Sequence, residues 1–233
     1  PLFAAASDEG TVLCCHLGSS SKSAMTTTDA PASVPMSLSS AGTIYTFADL
    51  VWADFWWRFP DLKFSLTEGD IGWIPYFMQR AEHIQDRHSG WTKHWFPDGK
   101  GPADVFLERV LCCFIEDRVG IELLHHFNVD NVCWESDFPH SDSNWPNAPE
   151  ALERLFAGVS DEVVAKITHE NAMRHFRFDP FAYRSREQCT AGALRAEAAD
   201  VDTVTRVGRP ADERDAEYFR ALASRGLAKS GQK

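Results

Sequence analysis

Four short apolar runs, separated by segments of helical length, constrain this chain more than any other feature. They are Thr11–Leu17 (TVLCCHL), Leu62–Thr67 (LKFSLT), Val110–Glu116 (VLCCFIE) and Asn131–Ser136 (NVCWES). Each is too short for a helix, rich in β-branched or aromatic residues, and apolar on both parities. That is the pattern of strands buried on both faces of a parallel sheet. The intervening stretches carry helical periodicity. Thr43–Phe59 places Ile44, Phe47, Leu50, Val51, Phe55 and Phe59 along one stripe and stops at Pro60. Ile74–Arg87, Val119–Phe127, Glu150–Ala157 and Asp161–Phe176 follow, the last opened by Ser160 as an N-cap. The alternation predicts an α/β fold with right-handed parallel crossovers.

Two stretches stand outside this alternation. Gly18–Gly42 is rich in Ser and Thr and too long for a plain connector, which predicts a functional loop directly after the first strand. From Asp179 the composition shifts to Ala, Arg, Asp and Glu, so residues 1–180 read as the folded unit and 181–233 as a tail, helical or partly disordered.

Charge removes whole classes of function. With 23 basic against 34 acidic residues the net charge is −11, so no basic field exists to hold nucleic acid through its phosphates. No apolar stretch reaches the roughly 18 residues a membrane helix needs. The six cysteines fall as Cys14-Cys15, Cys112-Cys113, Cys133 and Cys189, with no CxxC spacing. They read as buried thiols acting as small hydrophobes in a cytoplasmic protein. The chain begins at Pro1 in mid-pattern, which predicts a fragment or a processed product.

Three of the four strands end in a polar residue that a buried strand does not need. The first ends in His16, the second in Glu68-Gly69, and the fourth runs into Asp137 within Glu135–Asp142. In parallel α/β folds the C-terminal strand ends converge on one face, where ligands bind. His, Glu and Asp there form an N/O donor set suited to zinc or manganese and capable of acid–base work. Each also has a plainer reading: His16 as a hydrogen-bonded loop residue, Glu68 as a helix cap, Asp137 as an Asx turn before Phe138-Pro139. His140, Asp142 and Trp145 crowd the last loop, and with Trp73 they supply a candidate substrate wall. His83, His88, His94, His125, His126, His169 and His175 read as surface or packing residues.

The stretches Phe59–Arg80 (FPDLKFSLTEGDIGWIPYFMQR) and Val119–His140 (VGIELLHHFNVDNVCWESDFPH), with the late Ile167–Ala172, resemble the amidohydrolase-related proteins of the metal-dependent hydrolase superfamily. The resemblance runs from about Pro1 to Pro180. It is strongest to the branch containing aminocarboxymuconate-semialdehyde decarboxylase and γ-resorcylate decarboxylase. It implies a (β/α)₈ TIM-type barrel of which this chain supplies about the last four βα units. It implies a divalent metal, zinc first and manganese second, held by His16 and Asp137, with Asp137 also shuttling a proton. Glu68 stands where that branch usually carries a histidine, and is assigned with Asp137 to catalysis. The family's first-strand His-x-His pair has no counterpart in the sequence.

The resemblance thus implies hydrolysis or non-oxidative decarboxylation of a small carboxylated or cyclic substrate. The expected partners are that small molecule, the missing N-terminal half of the barrel and further copies of the chain, with neither nucleic acid nor membrane. The competing expectation is an inactive half-barrel that serves only as an assembly or binding partner.

Overall fold

The structure is a computed structural model that describes residues 1–17, 24–97 and 99–201. In chain order its elements are α1 Leu2–Glu9, β1 Val12–His16, α2 Ser33–Ser37, α3 Ala41–Val51, β2 Lys63–Thr67, α4 Ile74–Thr92 and α5 Pro102–Arg109. Then follow β3 Val110–Phe114, α6 Arg118–Glu122, β4 Val132–Trp134, α7 Ala148–Leu155, α8 Asp161–Ala165, a π-helical turn Lys166–Glu170, α9 Asn171–Phe176 and α10 Ala191–Glu197. All four expected strands form. They pair in the order β1-β2-β3-β4, every pair parallel. The fold is therefore a parallel α/β sheet whose strand ends share one rim.

Local chemistry sets the element ends. Gly10 closes α1 at φ 63°, the left-handed region glycine enters without a Cβ penalty. Pro102 opens α5, and the Asp104 carboxylate takes the Gly101 N–H at 2.7 Å. Ser160 caps α8 as expected, accepting from the Val163 N–H.

Several expectations change. The helix expected over Thr43–Phe59 ends at Val51, and a 3₁₀ turn at Phe55–Trp57 replaces its last part. The reason is packing: Trp56, 1% exposed, folds back beneath α3 and donates its indole N–H to the Leu50 carbonyl at 2.7 Å. In the same way Val119–Phe127 divides into α6 and a 3₁₀ turn at Leu124–His126. Helix α4 runs to Thr92, five residues past Arg87. Two helices, α1 and α5, were not expected at all. Of the loop expected over Gly18–Gly42, residues 18–23 lie outside the described residues, Ser33–Ser37 is helical, and α3 has begun by Ala41. The described part of the tail carries α10, while residues 202–233 lie outside the described residues.

The vicinal cysteines are split by strand alternation. Register aligns Cys15, Leu66, Cys112 and Val132 across the sheet, and these pack into the main core under the helices. That core is aromatic. Phe47 meets Trp73, Phe77 and Phe106 with ring centroids 5.1–5.6 Å apart, and Phe64 meets Phe3, Phe55 and Trp56. The opposite parity carries Cys14, Ser65, Leu111, Cys113 and Cys133. Leu111, Cys113 and Cys133 form a small buried apolar cluster there, closed by Ala172 of α9, and Ser65 is buried beside them. Cys14 is exposed, so buried small hydrophobe is the wrong description for it. Strand β1 is not buried on both faces, whereas every residue of β3 is. All six cysteines are free.

Candidate metal centre

The rim is held in an uncommon backbone conformation. Glu68, Asp70 and Asp137 sit at φ 56°, 52° and 52°, in the left-handed region. Such a conformation costs a residue with a side chain about 1–2 kcal/mol and persists only where its surroundings hold it. The holding contacts are visible. The Glu68 N–H donates to Oε1 of Glu135 at 2.5 Å. Asp117, at the N-cap of α6, accepts from the N–H groups of Ile71, Gly72 and Gly120 at 2.7, 2.6 and 2.8 Å. This carboxylate ties the turn after β2 to the turn after β3. Gly120 permits the approach, because a Cβ there would lie 2.2 Å from Ile71 Cγ1.

On this frame four of the expected side chains converge. Oε1 of Glu68 lies 2.8 Å from Nε2 of His16 and 3.8 Å from Nδ1 of His140, and Oδ1 of Asp137 lies 2.6 Å from Nδ1 of His140. One ligand atom each from Glu68, Asp137 and His140 falls within 4.8 Å of the others. His140 was placed in the substrate wall by its sequence position, yet it joins this group. His16 stands beside it rather than in it. Its Nδ1 lies 2.7 Å from the Leu17 carbonyl and its Nε2 faces Glu68, so both ring nitrogens meet oxygens. Both nitrogens of a histidine can donate only when the ring is charged. Accordingly the Leu17 carbonyl, and after it the Glu68 carboxylate, hold the His16 pKa above its ordinary value.

The carboxylates crowd one another. Burial first, then the hydrogen bond with Asp137, raises the Glu68 pKa. Burial also pushes Glu135 up to about 7, against the opposing effect of the Glu68 N–H. Asp70 rises to about 6 through burial and the nearby Asp117 charge. Five carboxylates, Glu68, Asp70, Glu116, Asp137 and Asp142, line a cavity of about 520 Å³ at this rim. Among the described residues lining it, Arg118 alone is basic, and its guanidinium is turned aside to Glu122 and the Leu155 carbonyl.

The other expected wall residues lie elsewhere. Trp73 donates its indole N–H to Gly69 O at 2.8 Å and packs edge-on against Phe47, outside the cavity lining. Trp145 packs at a tilt against Phe138, ring centroids 5.1 Å apart, and lines a separate groove toward α10. Four acidic residues were missed as site residues: Glu135, Asp70, Glu116 and Asp117. Glu135 had a signal, since parity places a carboxylate on the same face as Cys133 in the closing residues of a strand; Asp117 had only its N-cap position.

Two carboxylates and an imidazole make a donor set that zinc or manganese accepts, and a cation would relieve the repulsion among the crowded acids. A sequence profile of the amidohydrolase family matches residues 1–178. No curated protein matches the chain. Among solved structures, an amidohydrolase from Mycobacterium avium subsp. paratuberculosis superposes with a TM-score of 0.58 at 20% identity, covering 75% of this chain and 44% of its own. The 5-carboxyvanillate decarboxylase of Sphingomonas paucimobilis gives 0.60 at 18% identity, covering 77% and 53%. A 2,6-dihydroxybenzoate decarboxylase gives 0.57 at 17% identity, covering 76% and 54%. The chain thus spans about half the length of these structures.

Proposed function

The chain belongs to the amidohydrolase family, and from that premise we propose that it carries the metal-and-proton face of an enzyme acting on a small carboxylated or cyclic substrate. The reaction is hydrolysis or non-oxidative decarboxylation. The observation that carries this reading is the meeting of Glu68, Asp137 and His140 at the C-terminal strand ends. Glu68, Asp137 and His140 would hold a divalent ion, zinc or manganese, with His16 fixing Glu68 from the side. When bound, such an ion supplies Lewis acidity and offsets charge that develops on a substrate oxygen. An anionic substrate needs that offset, because five carboxylates line the cavity.

The remaining chemistry belongs to the chain's own groups. Asp137 Oδ1 is the proton-handling atom, and His140 Nδ1, 2.6 Å away, keeps it oriented. In hydrolysis Asp137 would take the proton of the attacking water and return it to the leaving group. In decarboxylation it would deliver a proton to the substrate carbon that loses its carboxylate. That two similar folds are decarboxylases by name supports keeping both reactions open.

A direct test is metal analysis of the protein, followed by activity screening of small carboxylated and cyclic compounds with zinc and manganese. Asp137→Asn should then lower turnover by at least the roughly 10²–10⁴-fold of lost acid–base catalysis, with the fold intact. Retention of more than about a tenth of wild-type turnover would remove Asp137 from this role.

A second reading, a binding or assembly partner without activity, has one observation in its favour: β1 has a partner only on its β2 side among the described residues. A bare parallel edge of that kind templates pairing with another chain. On this reading residues 1–180 would dock the remaining strands of a barrel, or a second copy, through β1. Size-exclusion chromatography with a metal assay separates the two readings. A compact monomer holding zinc tightly supports the enzyme; a metal-free oligomer supports the partner.

A further inference from the structure

Glu135 reaches across the sheet. It follows β4, yet its carboxylate bonds the backbone of β2's exit, although β3 lies between the two strands. Strands β3 and β4 end level, at Phe114 and Trp134, and the last ladder bond runs from the Glu135 N–H to the Phe114 carbonyl at 3.0 Å. Beyond it, the Trp134 indole holds the departing chain at Ile115 O. Glu135 leaves β4 with the parity of Cys133, on the sheet face away from the main core, and its Oε1 meets the Glu68 N–H. Glu68 stands at φ 56°, where a non-glycine residue stays only if its backbone is held. Held there, its Oε1 comes to 2.8 Å from His16 Nε2 and 3.8 Å from His140 Nδ1.

We propose that Glu135 is a positioning residue of this centre. By gripping the Glu68 N–H, it sets the turn that aims the Glu68 carboxylate between His16 and the Asp137–His140 pair. It touches no reacting group and acts only through Glu68. The role toward a metal rests on the function proposed above; the role toward Glu68 does not. An acceptor oxygen at the right reach is what the position requires, so glutamine suffices there while alanine and aspartate do not.

The test compares wild type with Glu135→Gln, Glu135→Ala and Glu135→Asp in the whole 233-residue chain. The metal-free proteins are examined by NMR for the proximity of the Glu68 side chain to the His16 ring, alongside thermal unfolding. Wild type and E135Q should show the contact, and E135A should lose it while remaining folded. E135D is one methylene short of Glu68 and gives the same reading should E135A fail to fold. Persistence of the contact in E135A or E135D, or its loss in E135Q, overturns the proposal. Titration with Mn²⁺ follows. Metal affinity should fall about 10–100-fold in E135A, the usual effect of removing a group that orients a ligand, and stay near wild type in E135Q. A merely structural contact would lower the unfolding temperature and leave Mn²⁺ affinity in the folded protein unchanged. If no variant binds Mn²⁺ while the NMR pattern holds, the metal reading fails and the positioning role stands.

Discussion

The two faces of the sheet are built from different chemistry. The helix-covered face holds Phe64, Leu66, Val110, Cys112, Phe114 and Val132 in one continuous core with the large aromatics of α3, α4 and α5. The opposite face holds thiols and hydroxyls. Ser65 Oγ lies 3.4 Å from Cys113 Sγ and 3.5 Å from Thr67 Oγ1, and Ser65 is buried there beside a small apolar cluster of Leu111, Cys113 and Cys133 that packs against Ala172. The first face is dry and carries the stability; the second leads up to the carboxylates of the rim and carries the chemistry. Area explains why they cannot exchange roles. Burying large apolar side chains gains about 25 cal/mol per Å², whereas buried carboxylates push their own pKa values upward and weaken the fold that holds them.

The largest expected difference between the faces is in packing. Phe114, fully buried against Phe156, should cost about 3–5 kcal/mol when cut to alanine. Cys113→Ala, on the other face, should cost about 1 kcal/mol, since it removes one sulfur. Equal losses in urea unfolding would break the comparison. Next comes the rim. Asp117→Ala strands the N–H groups of Ile71, Gly72 and Gly120 and should cost about 2 kcal/mol, a loss set by hydrogen bonds rather than by apolar area. Asp117→Asn should recover part of it in the same assay.

A smaller effect sharpens the picture at the far end of β4. His175 is buried against the Asp130 carbonyl and Asn131 Oδ1, both at 3.1 Å, and burial, with the Arg174 charge, lowers its pKa. A histidine with a depressed folded pKa contributes stability that is present above its unfolded value, near 6.5, and lost as pH falls through the folded value. Unfolding free energy measured between pH 7 and 5 should therefore drop in wild type and drop less in His175→Gln. The smallest effect belongs to the tail. Arg195 of α10 forms a bidentate pair with Glu150, at 2.6 and 2.8 Å, and donates to Pro146 O. Arg195 holds the Glu150 carboxyl well below the usual range, at about 2. Both groups are half exposed, where solvent screens an ion pair, so Arg195→Ala should barely move the midpoint of the same unfolding assay.

Much of this was legible in the residues. Four apolar runs separated by helical stripes fixed the strands, their parallel order and the shared rim, because burial and periodicity are local properties of sequence. The Phe59–Arg80 and Val119–His140 stretches carried the family, which the profile match over residues 1–178 shows. His16, Glu68 and Asp137 were legible as rim residues because a polar group closing an apolar strand has no packing reason to be there.

What sequence could not decide is which groups meet. The end of α3 at Val51 depends on where the Trp56 ring finds space, a long-range matter of core volume. The assignment of Cys14 and Cys15 to opposite faces follows from strand alternation, but which face is dry depends on where the helices pack. His140 was legible as a neighbour of Asp137, yet its place with Glu68 depends on two turns held in the left-handed region. Glu135, 67 residues from Glu68 along the chain, reaches it only because the parallel register of β2, β3 and β4 brings their ends to one rim. Sequence determined the strands, the rim and the kind of donor placed there, since each is set by nearest-neighbour burial and hydrogen bonding. Tertiary structure alone decided the partners at that rim, because those distances are fixed by strand lengths and backbone turns contributed from separate parts of the chain.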